Sequence, residues 1–120
     1  MAGPSVTIYG IPNCDTMKKA RAWLAEHGID ATFHDYKKEG IDKTRIEHWC
    51  KEAGWETVLN RAGTTFRKLS DGDKQGLDQK KAIALMLDQP SLIKRPVLDI
   101  GGKTLLIGFK PESYAAAFAR

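Results

Sequence analysis

Residues 6–36 place a strand, a helix and a second strand in one short stretch, and that order leaves few folds open. Val6-Thr7-Ile8-Tyr9-Gly10 is a mostly apolar run bounded by Ile11-Pro12-Asn13. It reads as a short buried strand followed by a turn. Met17 to Glu26 reads as an amphipathic helix, with Gly28 as its stop. Ile29 to Tyr36 sets Ala31, Phe33 and Asp35 against Thr32, His34 and Tyr36, an alternation that fits a second strand. Two strands joined through a helix are expected to run parallel, as a βαβ unit.

Lys37-Lys38-Glu39-Gly40 reads as a polar break. Beyond it, Asp42 is placed to cap a helix that Gly54 ends, with Ile46, Trp49, Cys50 and Ala53 on its apolar face and His48 off that face. Val58 to Gly76 is irregular, and Leu59 to Arg67 within it reads as a structured loop or short helix. Asp78 caps a further helix through Leu87, apolar at Ala82, Ile83, Met86 and Leu87, and Pro90 stops it. Pro96 to Ile100, the Gly101-Gly102 pair and Lys103 to Ile107 then form a hairpin signal. Lys110-Pro111-Glu112-Ser113 leads into a last Ala-rich helix, Tyr114 to Ala119. The expected fold is α/β: one four-stranded mixed sheet in the order βαβ–ββα. The 120 residues suit a single domain, 1–120, with a helical insertion over approximately 40–90 between the halves.

Several function classes fall away on composition. No apolar run approaches the roughly 18 residues of a membrane span, and Met1-Ala2-Gly3-Pro4-Ser5 lacks the charged and apolar regions of a secretory signal. Two cysteines, Cys14 and Cys50, are too few for a disulfide framework and give no metal-ligand spacing, so no metal is expected. Sparse cysteine without an export signal fits the reducing cytoplasm. The net charge of +4 either favours anionic small molecules or nucleic acid or reflects dispersed surface lysines, and no aromatic-interleaved basic stripe marks a single-stranded nucleic-acid binder.

The chemistry is expected at Cys14. It lies where the first strand gives way to the first helix, among N–H groups with no intrahelical partner and at the positive end of the helix dipole. A thiol there is stabilised as thiolate, the form that attacks disulfides and other oxidised centres. Lys18, one turn on, either helps to hold that thiolate or belongs to a solvated face with Lys19, and Asp15 works weakly against it. The position where C-x-x-C enzymes carry their second cysteine is Met17. Cys50 lies on a packing stripe and is expected to be core. Any oxidised form of Cys14 must therefore be resolved from outside, by a small-molecule thiol. Arg61 and Arg95 adjoin structural breaks at Gly63 and Pro96, and guanidinium groups there either clamp oxyanions and carboxylates or pair with nearby acids. Arg67 and Lys110 are weaker candidates of that kind.

A Cys opening the first helix and a Pro opening the third strand follow the plan of the thioredoxin fold. Sequence leaves the isomer of Pro96 open. If it is cis, the Arg95 backbone faces Cys14 and offers N–H and C=O groups to an extended tripeptide thiol such as glutathione; if trans, Pro96 is an ordinary first strand residue.

Four stretches together resemble the ArsC family of thioredoxin-fold reductases, whose relatives include glutathione-linked arsenate reductases, Spx regulators and YffB-type proteins. They are Ile8 to Cys14, Leu59 to Thr65, Leu92 to Pro96, and Gly108 to Glu112. Through Asn-Arg-x-Gly-Thr-Thr-x-Arg-Lys-Leu the chain is most similar to the YffB-type branch. The resemblance implies a thioredoxin-like sheet with a helical insertion, Cys14 as nucleophile, and a cis Pro96. Arg61 and Arg95 match anion-binding arginines of the family, and Asn13, Arg61, Arg95 and Pro96 are the expected binding residues for substrate and glutathione. The third arginine of the arsenate reductases falls at Ile107, which weakens arsenate as substrate, and Met17 removes the redox pair that Spx regulators often carry. The expectation is a glutathione-dependent monothiol reductase without a tightly bound cofactor, released by glutathione or glutaredoxin. Arsenate reduction, or an Spx-like regulator that binds RNA polymerase, is the alternative.

Overall fold

The computed structural model describes residues 5–119. In chain order its elements are β1 (Val6–Gly10), α1 (Asp15–Glu26), β2 (Thr32–Asp35), α2 (Tyr36–Glu39), α3 (Lys43–Ala53), α4 (Trp55–Val58), α5 (Thr64–Arg67), α6 (Asp71–Lys74), α7 (Gln79–Asp88), a 3₁₀ turn (Pro90–Leu92), β3 (Val97–Ile100), β4 (Thr104–Ile107) and α8 (Pro111–Phe118). Two compact units result: residues up to Glu39 together with those from Arg95 onward, and Gly40–Lys94.

The first unit holds the sheet, in the order β2-β1-β3-β4. β1 and β2 are parallel, and β3 is antiparallel to both β1 and β4, the mixed thioredoxin-like arrangement expected. Val6 and Ile8 of β1, Leu98 and Ile100 of β3, Met17, Ala20 and Leu24 of α1, and Tyr114 of α8 form one buried cluster. Met17, Ala20 and Leu24 recur at helical spacing, so α1 lays one stripe on the sheet.

Capping chemistry sets most boundaries. α1 ends in a Schellman motif: Gly28 at φ 67° donates to Ala25 O (3.1 Å) and Ile29 N donates to Leu24 O (2.9 Å). Because Ile29 is drawn into that motif, strand pairing starts only at Thr32, opposite Thr7, and β2 is shorter than the Ile29–Tyr36 expected. The polar break at Lys37-Lys38-Glu39 is instead the short helix α2. Asp35 Oδ1 accepts from Lys37 N (2.8 Å) and Glu39 Oε2 from Asp35 N (3.2 Å), a reciprocal cap that sequence alternation does not reveal. The hairpin joining β3 and β4 turns through Gly101 and Gly102, both at positive φ, as a primed turn requires. α8 begins at Pro111, earlier than expected, because proline is suited to a first helical position.

In the second unit, Asp42 and Asp78 cap α3 and α7 as expected, accepting from Arg45 N (2.9 Å) and Lys81 N (2.8 Å). Ile46, Trp49 and Cys50 of α3 and Ala82, Ile83 and Met86 of α7 are buried. Leu87, placed on the apolar face of α7 by sequence, is 39% exposed instead. The irregular stretch resolves into the four-residue helices α4, α5 and α6. Leu59 and Ile93 bridge antiparallel, with Lys94 N donating to Val58 O (2.8 Å). No described helix is long and apolar enough to cross a membrane.

Tyr114 gives a stability test. It is fully buried, edge-on to Trp23 (5.4 Å between ring centroids) and to Phe109 (4.8 Å), and its hydroxyl has no hydrogen-bond partner among the described residues. Burial pushes the phenol far above its ordinary range. Tyr114→Phe removes an unsatisfied polar atom and keeps the ring, so thermal denaturation is expected to show unchanged stability or a gain of up to about 1 kcal/mol. A clear loss would reveal a partner for the hydroxyl.

Candidate functional site

Cys14 is the N-cap of α1, which starts at Asp15, two residues earlier than the Met17 expected. Its backbone is extended (φ −140°, ψ 127°), and its carbonyl accepts the first helical bond, from Lys18 N at 3.0 Å. The side chain is half-buried, at the edge of the sheet core. An N-cap position aims its side chain at the open N–H groups of the first turn.

The sulfur closes no capping hydrogen bond of standard geometry, yet its surroundings favour the anion. Partial burial by itself pushes the thiol up. Against it act the Met17 N–H, the Arg95 guanidinium as donor, the Thr16 N–H, and the positive charge of Arg95, and together they hold Cys14 below the ordinary thiol range. Arg95 lies two residues before β3, and the Arg95–Pro96 peptide that leads into the strand is cis. Pro96 is buried, and its carbonyl accepts from Gly108 N at 2.9 Å, so the approach to β3 is tied to the chain leaving β4.

This reassigns one role. Lys18 is exposed, and its link to Cys14 is through its backbone N–H; the cation beside the sulfur is that of Arg95. Lys18 at i+4 is suited to that role by sequence, but the positive charge acting on the sulfur comes from Arg95, 81 positions away in the chain and brought near by the fold. Asn13 lies exposed in the bend before Cys14. Arg61 belongs to the second unit, exposed, with its guanidinium 5.8 Å from the centre of the Trp55 ring. Sequence reasoning passed over Thr16 and the main chain of Met17, whose contribution carries no side-chain signature.

Cys50 differs in burial and in the direction of its ionisation shift. It is 2% exposed, and burial pushes its thiol up to about 11. Both cysteines are free thiols. Among the described residues no group of three or more His, Cys, Asp or Glu could hold a metal ion.

A mixed four-stranded sheet, a cysteine capping the first helix and a cis-proline entering β3 define the thioredoxin-like class of folds. Within that class the chain belongs to the ArsC family, whose sequence profile matches residues 9–117. It is similar to the solved structure of a YffB protein at 61% identity, covering 96% of this chain and all of that one, with a TM-score of 0.92. A solution structure of an arsenate reductase (ArsC) related protein from Brucella melitensis is 57% identical, covers 100% of this chain and 99% of that one, and gives a TM-score of 0.78. The global transcriptional regulator Spx of Streptococcus pyogenes is 30% identical over 117 residues, 96% of this chain and 86% of that protein.

Proposed function

We propose that the protein is a thiol-based oxidoreductase that reduces mixed disulfides at the single nucleophile Cys14, with glutathione as co-substrate. The observation that carries this reading is the Cys14 sulfur held below the ordinary thiol range between the first turn of α1 and Arg95. The Cys14 thiolate attacks the glutathione sulfur of a mixed disulfide. The old S–S bond breaks, the substrate leaves as a thiolate that takes a proton, and Cys14 is left joined to glutathione. A second glutathione thiolate attacks that bond, releasing oxidised glutathione and restoring Cys14. The net change is one disulfide exchanged for another: the substrate sulfur returns to a thiol, and the incoming glutathione sulfur is oxidised into the disulfide of oxidised glutathione.

The monothiol course is supported by Met17 at the second-cysteine position and by burial of Cys50. Arg95 is suited to a carboxylate of the tripeptide as well as to the thiolate, and its main chain ahead of β3 is the proposed seat for the peptide backbone. For Arg61 the support is the match to an anion-binding arginine of the family, and for Asn13 its place in the bend directly before Cys14. A glutathionylated peptide incubated with the protein and reduced glutathione is expected to lose its glutathione faster than in the protein's absence. Rates equal to the uncatalysed exchange contradict the proposal, and glutathione oxidation that depends instead on arsenate turns the same thiol to arsenate reduction. The Spx relative, a global transcriptional regulator, favours a second reading, a regulatory protein, for which the expected partner is RNA polymerase; recovery of polymerase with the protein, together with an ordinary Cys14 pKa, supports it.

A further inference from the structure

Gly10 ends β1 on the face that carries Val6 and Ile8, and Met17 of α1 lies in the same buried cluster, 1% exposed. The two positions are matched in space. A Cβ on Gly10 would overlap Met17 Sδ, lie 2.9 Å from Cε and 3.4 Å from Cγ. The first two approaches are closer than real Cβ contacts, so the end of the Met17 side chain must shift; it is flexible, but buried this deeply it has little room to swing aside. The backbone of Gly10 is not at positive φ, so conformation is not what calls for glycine here. Space for Met17 is.

Met17 is also the residue whose main-chain N–H faces the Cys14 sulfur. Its side chain and its N–H are therefore set by the same placement of the first helical turn on the end of β1. We propose that Gly10 and Met17 form a positioning pair for Cys14: the bare glycine lets the Met17 side chain seat on β1, and that seat fixes the first-turn N–H groups relative to the sulfur. At the position where a resolving cysteine stands in C-x-x-C enzymes, this chain carries an anchor for the nucleophile. The inference rests on the thiolate reading of Cys14 above. The charged residues near Cys14, namely Asp15, Lys18 and Arg95, keep their identity in each of these variants.

The test is a double-mutant cycle read by the pH dependence of thiolate absorbance, on variants shown to be folded by circular dichroism. Gly10→Ala is expected to raise the Cys14 pKa by at least about half a unit, a roughly threefold change in ionisation constant. Met17→Ala, which leaves Gly10 free, raises it as well. The double variant, where the smaller residue at 17 makes room for the new methyl, shows less than the sum of the two shifts. A merely structural pair would lower the melting temperature and leave the thiol where it was. Unchanged pKa values in the single variants, or strictly additive shifts, overturn the pair while wild-type Cys14 still titrates low. If Gly10→Ala does not fold, Met17→Ala alone decides by the same criterion. An ordinary pKa in the wild-type protein instead removes the thiolate reading itself.

Discussion

Cys14→Ser reduces glutathione-linked turnover of a mixed disulfide to the uncatalysed background. Serine keeps the N-cap position and preserves the fold, since Ser is a favoured cap. It cannot form a nucleophilic anion near neutral pH or a disulfide with glutathione. No other thiol can take over, because Cys50 is buried and its pKa is raised to about 11. The check is a glutathione-coupled assay on both proteins, with melting curves to show that the variant is folded. Retained turnover in folded Cys14→Ser would contradict the assignment outright.

The second large effect is expected at Arg95. Its guanidinium acts on Cys14 twice, as donor and as charge. A hydrogen bond to a charged group is worth about 1.5–3 kcal/mol, and one pKa unit corresponds to about 1.4 kcal/mol. Cys14 is half-exposed and screened by solvent, so the lower end applies. Arg95→Ala is therefore expected to raise the Cys14 pKa by roughly one unit and to slow alkylation at pH 7 by up to about tenfold. Arg95→Lys keeps the charge without the planar fork and falls between. The sign for stability follows from the lowered pKa. Ionisation stabilises the fold fully above the unfolded thiol value of about 8.5, and that gain fades as pH falls through the lower folded value. The stability difference between wild type and Arg95→Ala is thus largest above that pH. Stopped-flow alkylation and denaturation at two pH values check both parts, and an unaltered thiol in the variant would remove Arg95 from the site.

What sequence revealed was mostly local chemistry. Gly28, Asp42, Asp78 and the Gly101-Gly102 pair each mark a boundary through a backbone or capping preference that acts within a few residues, and the structure places those boundaries there. The parallel pairing of β1 with β2 followed from the helix between them. Elements of four residues, such as α4 to α6, are shorter than two helical turns and leave no periodicity to read. Leu87 shows the limit of a stripe drawn from spacing, since its apolar side chain at the end of α7 faces outward.

The site was legible in part for the same reason. Cys14 and Pro96 announce themselves by their positions at element starts. Which cation meets the sulfur does not, because Lys18 is near in sequence while Arg95 is brought in by the sheet. Gly10 gives no sign at all in a strand otherwise built of larger residues. Its meaning lies in the Met17 side chain that occupies the space a Cβ would need.

The most direct measurement is a pH titration of thiolate absorbance on the native protein, with Cys14→Ser subtracted as the blank. A single ionisation below the ordinary thiol value of about 8.5 is the predicted result. A midpoint at or above that value would contradict an activated nucleophile at the head of α1.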